Sequence, residues 1–479
     1  MTSFANPQYA SGADALARVV AASIANRHGV YLGASHGAPV FAPHEHGVLV
    51  LGPPRSGKTS SVVVPNVFAA AGPVVAVSTK RDVMNETSSA RALLGECLLF
   101  DPSGTVEVPR GVRPIGWSPL TASLAWDGAV LMAESMVGAS RESRDRIDGS
   151  HWTERAAALL ASVFHGAALD DCPLDDVVSA VNRRAPERFV SALARHDADL
   201  ALDLLFGITE TEEREQSAIW STASGVLAGY RTGAALASAG LERLDPGRFV
   251  QSRSTLFVAA PAEYQQHVAP LVAGVIRDVR TAAYRRNAAV PPVPGPPVLL
   301  VLDELANIAP LHDLPSLVAE GASQGVVTLA SLQDLSQARA RFGTAADGFL
   351  TLFGVKLVLA GMSDVRTLEA LSALAGRRDE VVPSTTAARV PGRWRRHISR
   401  TVTTRREPRL PVDAIARPPE GTAIAFLGAQ PLKVGLTPHH SSSPWREISG
   451  RPPTESRNVI RTSSRDCRRV GSRGRTLTD

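Results

Sequence analysis

Short apolar runs bounded by turn residues recur along the chain: Val74–Ser78, Cys97–Phe100, Thr255–Ala260, Val298–Asp303, Val326–Ser331, Val355–Ala360 and Ala423–Leu427. They are rich in Val, Leu and Ile and do not alternate with polar residues, which predicts strands buried on both faces of a parallel sheet. Helical patterns follow several of them, as at Asp313–Ala322 and Asp364–Gly376. The class is therefore α/β, with a mostly parallel sheet. Between about Trp117 and Leu244 the strand pattern stops. Helical stretches replace it at Trp126–Val137, Trp152–Ala168, Asp175–Val181, Pro186–Ala194 and Gln216–Ala235. This reads as an all-α domain inserted between early and late strands of one sheet. Ala288–Pro297 is proline-rich and must be extended. No internal repeat is visible. The expected division is 1–116 for the first half of the sheet domain, 117–245 for the insertion, 246–440 for the second half, and 441–479 for a basic, disordered tail.

The run Gly47-Val48-Leu49-Val50-Leu51 leads directly into Gly52-Pro53-Pro54-Arg55-Ser56-Gly57-Lys58-Thr59. This is a complete phosphate-binding loop in the strand–turn–helix context the motif requires. Its two glycines let successive backbone N–H groups converge on a phosphate at the positive end of the next helix. Lys58 is expected on the β- and γ-phosphates of ATP, with Thr59 holding Mg²⁺ and Ser60 completing the loop's contacts. Pro297-Val298-Leu299-Leu300-Val301-Leu302-Asp303-Glu304 then has the form of a Walker B strand, with its acidic pair at the carboxyl edge where α/β sheets place ligands. Asp303 is expected at the metal and Glu304 as general base toward water.

Two further strand ends face the same edge. Val326–Leu332 ends at Gln333, whose amide could bond the γ-phosphate or the attacking water. Lys80 and Asp82 follow Val74–Thr79, so Lys80 could lie near phosphates or pair with an acidic neighbour. Arg214, Arg339 and Arg341 are candidates for contacts across a subunit boundary, or plain surface arginines.

At 479 residues the chain has room for two domains, or one large domain with an insertion. Cys97, Cys172 and Cys467 lie far apart without metal-ligand spacing, which argues for a reducing compartment and against a disulfide framework or zinc site. No stretch reaches the ~18 apolar residues of a membrane-spanning helix and Met1–Gly33 lacks a signal-peptide layout, so a soluble chain is expected. Only Lys58, Lys80, Lys356 and Lys433 are lysines among 51 basic residues, so the two expected near the nucleotide are conspicuous. The net charge of +5 is concentrated in Gly376–Leu410, which includes Arg393-Trp394-Arg395-Arg396 and Arg405-Arg406, and in Ser441–Asp479. This basic loop and tail could contact nucleic-acid phosphates or anionic lipid headgroups, or be solvated arms.

In this order, the motifs resemble the type IV coupling proteins of the TraG/TraD group, the ATPases of conjugation and type IV secretion. The P-loop is accompanied by Gly29-Val30-Tyr31-Leu32-Gly33 and His46–Val50 upstream, and by Val62-Val63-Val64-Pro65-Asn66 downstream. Leu99-Phe100-Asp101-Pro102, Trp117-Ser118-Pro119-Leu120, His151-Trp152 and Ile219-Trp220-Ser221 resemble the approach to, and landmarks of, the family's all-α domain. Ser331-Leu332-Gln333-Asp334-Leu335-Ser336-Gln337 resembles its glutamine motif, and Ser363-Asp364 through Ser372 and Gly376 its last motor segment. The likeness spans about residues 28–435. It implies a RecA-like motor with an all-α insertion, assembled as a homo-hexamer at the cytoplasmic face of the bacterial plasma membrane. It also implies coupling of ATP hydrolysis to movement of DNA and attached protein, with relaxosome and secretion-channel proteins as partners. The insertion is implied to recognise the relaxase-bound DNA. Lys58, Thr59, Asp303, Glu304 and Gln333 match the family's functional positions.

Three departures accompany it. The family's usual transmembrane helices have no counterpart at the start of this sequence, which leaves anchoring to a separate membrane protein open. Ser78-Thr79-Lys80-Arg81-Asp82 stands where Asp-Pro-Lys-Gly-Glu is common. Glu320–Gly325 lacks the arginine that can act as a finger toward a neighbouring subunit, a group worth about 10³–10⁵ in rate. Besides the DNA-moving ATPase, two alternatives therefore stand: an ATP-binding substrate receptor with little hydrolysis, and a soluble DNA-translocating ring ATPase.

Overall fold

The structure, a computed structural model, describes residues 12–140, 149–259, 261–291, 293–308, 311, 313–389 and 396–450. In chain order its strands are β1 (Tyr31–Ser35), β2 (Ala38–Phe41), β3 (Val48–Leu51), β4 (Val74–Ser78), β5 (Cys97–Phe100), β6 (Val112–Pro114) and β7 (Thr255–Ala259). They continue as β8 (Val298–Leu302), β9 (Val326–Leu332), β10 (Val355–Leu359), β11 (Arg377–Arg389), β12 (Arg396–Pro408), β13 (Thr422–Leu427) and β14 (Gln430–Gly435). Twelve of them form one sheet in the order β2-β1-β14-β13-β10-β3-β9-β8-β4-β7-β5-β6. From β10 to β6 every pairing is parallel. β13, β14, β1 and β2 extend the β10 edge antiparallel.

Burial on both faces explains the unbroken apolar runs. Successive side chains of a strand point to opposite faces. Leu49 and Leu51 thus join a core shared with the helical insertion, while Val48 and Val50 join one with Val62, Val63 and Val67 after the P-loop. β4 and β5 divide in the same way, with Val75, Val77, Leu98 and Phe100 on one side and Val74, Ala76, Cys97 and Leu99 on the other.

Between β6 and β7 the described chain is helical, with the longest helix at Gly149–Leu169. The insertion is keyed to the sheet domain by Trp117. The benzene edge of its indole lies against Gly274 of the helix Gln265–Ala288, where a Cβ would come within 2.3 Å of the ring. Its Nε1–H donates to Asp278 Oδ2 at 2.7 Å.

Several expectations need correction. The single helix expected over Gln216–Ala235 is divided into Glu213–Val226, a 3₁₀ turn at Leu227–Arg231, and Gly233–Ala239. Gly229 lies against the His267 carbonyl, and Thr232 caps the next helix through Ala235 N–H. Helices Gly12–Ala25 and Asp199–Thr209 were not anticipated.

The basic loop over Gly376–Leu410 is a two-stranded antiparallel ribbon, β11 paired with β12 from Arg377–Pro408 to Arg389–Arg396. Arg393, Trp394 and Arg395 lie outside the described residues. The disordered tail was expected to begin at Ser441, but residues 441–450 fold back on the domain. Trp445 is 2% exposed and packs on Tyr31, ring centroids 5.2 Å apart, and Arg18 pairs with Glu447 at 3.3 Å. Basic composition concealed one large apolar side chain with a place to bury it. Residues 451–479 lie outside the description.

Candidate functional site

The P-loop begins where β3 ends. Gly52 N–H donates to the carbonyl of Leu332, at the end of the adjacent β9, at 3.2 Å. Gly52 has no room for a side chain: a Cβ would lie 2.7 Å from Ser56 Oγ and 2.9 Å from Leu359 Cβ. Arg55 (φ 64°) and Gly57 (φ 92°) both take the left-handed conformation, which curls the loop back on itself. Pro54 and Arg55 are exposed on its outer side, while Pro53 and Ser60 are half-buried. Ser60 Oγ donates to Gly57 O at 3.4 Å. Lys58 Nζ donates to the carbonyls of Gly52 and Pro53, the latter at 3.1 Å. Burial holds its ammonium below the usual lysine range, Asp303 and Glu304 oppose that, and Lys80 adds to it.

The strand order places the other candidates around this loop. β9 lies between β3 and β8, so Gln333 stands between the P-loop and the acidic pair. Thr59 Oγ1 donates to Asp303 Oδ2 at 3.1 Å. The other carboxylate oxygen accepts from Ser331 Oγ at 3.0 Å, and that hydroxyl in turn accepts from Glu304 N–H at 3.1 Å. Asp303 is 7% exposed, and burial raises its carboxyl above the usual aspartate range while Ser331 and Thr59 pull it down. Glu304 has φ 66°, an unfavourable backbone for a non-glycine residue, held here by the turn that leaves β8.

Lys80 is exposed at the end of β4, with its N–H bonded to Ser78 Oγ at 3.2 Å. Gln333 is half-buried, and its N–H donates to Gln337 Oε1 at 3.0 Å. The structure thus brings Lys58, Thr59, Asp303, Glu304, Gln333 and Lys80 to one edge of the sheet. The candidate arginines fall elsewhere. Arg339 is held by Asp347 and Asp364, and Arg214 is an exposed residue of the insertion.

Ser331 was read only as part of a strand, yet it supports both acidic residues. Alone, a serine at the end of an apolar run carries no chemical signal. Its role follows from the β8–β9 register, which sets Leu302 opposite Ala330. A cavity of about 490 Å³, lined by Asp127, Met132, Arg277, Asp278 and Arg285 among others, lies apart from this edge and contains no P-loop residue. We place the chemistry at the strand ends, because that is where titratable groups, backbone donors and an oxygen pair converge.

The residues present suit a magnesium-bound nucleoside triphosphate. Thr59 and Asp303 are hard oxygen donors of the kind that hold Mg²⁺. A glycine-containing loop of this shape can turn backbone N–H groups toward phosphate, and the buried Ser56 Oγ has no hydrogen-bond partner.

A family model described as the TraM recognition site of TraD and TraG matches residues 297–420. No curated protein sequence matches the chain. Among solved structures, the bacterial conjugative coupling protein TrwBdeltaN70, in its unbound monoclinic form, superposes with a TM-score of 0.65 at 17% identity, over 87% of this chain and 90% of that one. Plasmid coupling protein TrwB in complex with ADP and Mg²⁺ gives 0.62 at 18% identity, over 87% and 90%. TrwB with the non-hydrolysable ATP analogue ADPNP gives 0.63 at 17%, over 87% and 91%. The likeness shows the fold, a RecA-like P-loop domain with an inserted helical domain.

Proposed function

We propose that the chain is a coupling protein of the TraG/TraD type, an ATPase that recruits DNA with attached protein and drives it toward a conjugation or type IV secretion channel. The observation that carries this reading is the Thr59–Asp303 contact of 3.1 Å, which joins the P-loop to the acidic end of β8. These two oxygens would hold Mg²⁺, which when bound neutralises charge on the nucleotide's phosphates.

The chain's own residues then divide the work. Backbone N–H groups of the loop beyond Pro54 would meet phosphate, and Lys58 would leave the Gly52 and Pro53 carbonyls for a stronger, charge-assisted partner. Glu304 is the base that accepts a proton from water, oriented by its strained backbone and by Ser331. Gln333, flanked by both motifs, reports on the γ-phosphate, and Lys80 adds positive potential from the next strand end.

The helical insertion between β6 and β7 is the surface for recruited cargo, and relaxosome and channel proteins are the partners proposed for it. Arg377, Arg378, Arg400, Arg405 and Arg406 on the β11–β12 ribbon offer cations to a phosphate backbone. Assembly as a homo-hexamer at the cytoplasmic face of the membrane belongs to the same proposal. No helix among the described residues is long and apolar enough to cross a membrane.

One observation favours the receptor reading, in which nucleotide is bound and hydrolysed little: Arg339 is committed to Asp347 and Asp364, and residues 320–325 contain no arginine. ATP turnover measured with and without single- and double-stranded DNA, at low salt, separates the two. A DNA-dependent rise that added salt removes supports the motor. Nucleotide binding without any DNA response supports the receptor.

A further inference from the structure

The first turn after the P-loop is wound as a π-turn, Thr59–Val63, before regular helix begins at Val64. Val64 N–H donates to Thr59 O, and the following residue is Pro65, which has no N–H. The carbonyl of Ser60 therefore lacks donors at both the fourth and the fifth residue beyond it.

His439 fills that gap from the far end of the chain. Its backbone N–H lies 2.9 Å from Ser60 O, and its ring Nδ1 lies 3.1 Å from the same oxygen. Nε2 lies 3.0 Å from Glu86 Oε2, on the helix Asp82–Arg91 that follows β4 and Lys80. His439 is 5% exposed and separated from Ser60 by 379 residues. Both of its partners accept hydrogen bonds, so the ring donates to both at once only when each nitrogen carries a proton. One imidazole thus spans the helix that carries Thr59 and the helix behind Lys80.

The segment containing His439 also packs on Tyr31, which in turn is bonded to the P-loop helix. Asn66 accepts from Tyr31 N–H at 2.7 Å and donates to Tyr31 O at 2.9 Å and Val62 O at 2.9 Å. The Tyr31 ring is covered by Trp445. Residues 436–448 thus bond the start of the P-loop helix directly, through His439, and reach Asn66 by way of Tyr31.

We propose that His439 is a positioning residue of the nucleotide site. By adding a ring donor to the backbone N–H that already reaches the Ser60 carbonyl, it holds the π-turn that sets the direction of the neighbouring Thr59 hydroxyl, with Glu86 orienting its ring. This rests on the reading of Thr59 as a metal-bearing residue. Its signature is a loss of magnesium-dependent affinity rather than of nucleotide affinity in general.

The test compares His439→Ala, His439→Asn and His439→Gln in the full chain, measuring ADPNP binding with and without Mg²⁺ together with thermal stability. Asparagine places its amide N–H close to the position of Nδ1, and glutamine close to that of Nε2. Alanine and glutamine should weaken binding with Mg²⁺ by about five- to tenfold, the effect of one lost hydrogen bond to a buried carbonyl, and asparagine should restore it. Binding without Mg²⁺ should match the wild type in all three.

Equal affinities across the series would overturn the proposal, as would losses that follow melting temperature or rescue by glutamine instead of asparagine. If the alanine protein does not fold, the asparagine–glutamine pair still decides. Wild-type protein and Lys58→Ala separate the two levels. A wild type that binds no nucleotide sinks the site and the inference together. A wild type that binds and a Lys58→Ala protein that does not, with all His439 variants normal, sinks the inference alone.

Discussion

The hydroxyl of Thr59 donates to Oδ2 of Asp303 across 3.1 Å, although 244 residues separate them. The contact closes the site, because it joins the loop after β3 to the tip of β8 while β9 lies between those strands. Ser331 on β9 completes it by donating to the second oxygen of Asp303 and accepting from Glu304 N–H.

Removing that support should be felt at the metal. Ser331→Ala leaves Asp303 buried with one partner fewer and frees the Glu304 backbone. Magnesium affinity of the nucleotide complex should fall by about 10–100-fold, the usual cost of losing a group that orients a ligand. Magnesium titration of nucleotide binding measures it, and an unchanged midpoint would show that Thr59 alone suffices.

Glu304→Gln keeps the size and backbone of the residue and removes its basicity. ATP affinity should be retained while turnover drops by about 10²–10⁴-fold. Filter binding and phosphate release on the same preparation check both halves. Normal turnover in the variant would assign the base elsewhere.

Asp278 predicts a pH effect on stability away from the nucleotide. Burial pushes its carboxyl from 3.8 to about 6, with the Trp117 hydrogen bond and Arg277 and Arg285 opposing the shift. Between those values the folded state holds a proton that the unfolded state has released. This group's contribution to stability is therefore present at low pH and is lost as pH rises through about 6. Asp278→Asn keeps an acceptor for Trp117 and abolishes the buried charge. It should stabilise the protein at pH 8 by about 1–3 kcal/mol and at pH 5 by roughly half as much. Denaturant unfolding at the two pH values tests the sign, and equal effects at both would contradict it.

Trp445→Ala removes a side chain that is 2% exposed and covers Tyr31. The loss should be about 3–5 kcal/mol, as for other buried tryptophans. Calorimetry provides the measurement. A loss below ~1 kcal/mol would mean that this segment rests on the surface without contributing to the fold.

How much of this could be read from the sequence depended on how local each signal was. Gly52 to Thr59 declare themselves because phosphate binding needs glycines, a lysine and a hydroxyl at fixed spacing on consecutive backbone. Asp303 and Glu304 were found through the apolar strand that carries them, and the sheet's parallel character through runs such as Val298–Leu302, apolar because both faces are buried. Arg377–Pro408 was read as a loop because its charges hid a ribbon stabilised by cross-strand pairing rather than by a buried face.

By itself, then, the sequence marked the phosphate-loop motif, the acidic end of an apolar strand and the helical nature of the insertion, all properties of contiguous residues. The tertiary structure alone decided that Ser331 supports Asp303, that Trp117 keys the insertion onto Gly274, that His439 meets Ser60 and that Trp445 covers Tyr31. In each case the partners are brought together by strand order and helix packing. Isolated serines, histidines and tryptophans carry no mark of the distant group they will meet, because that meeting is set by the register of elements folded far apart in the chain.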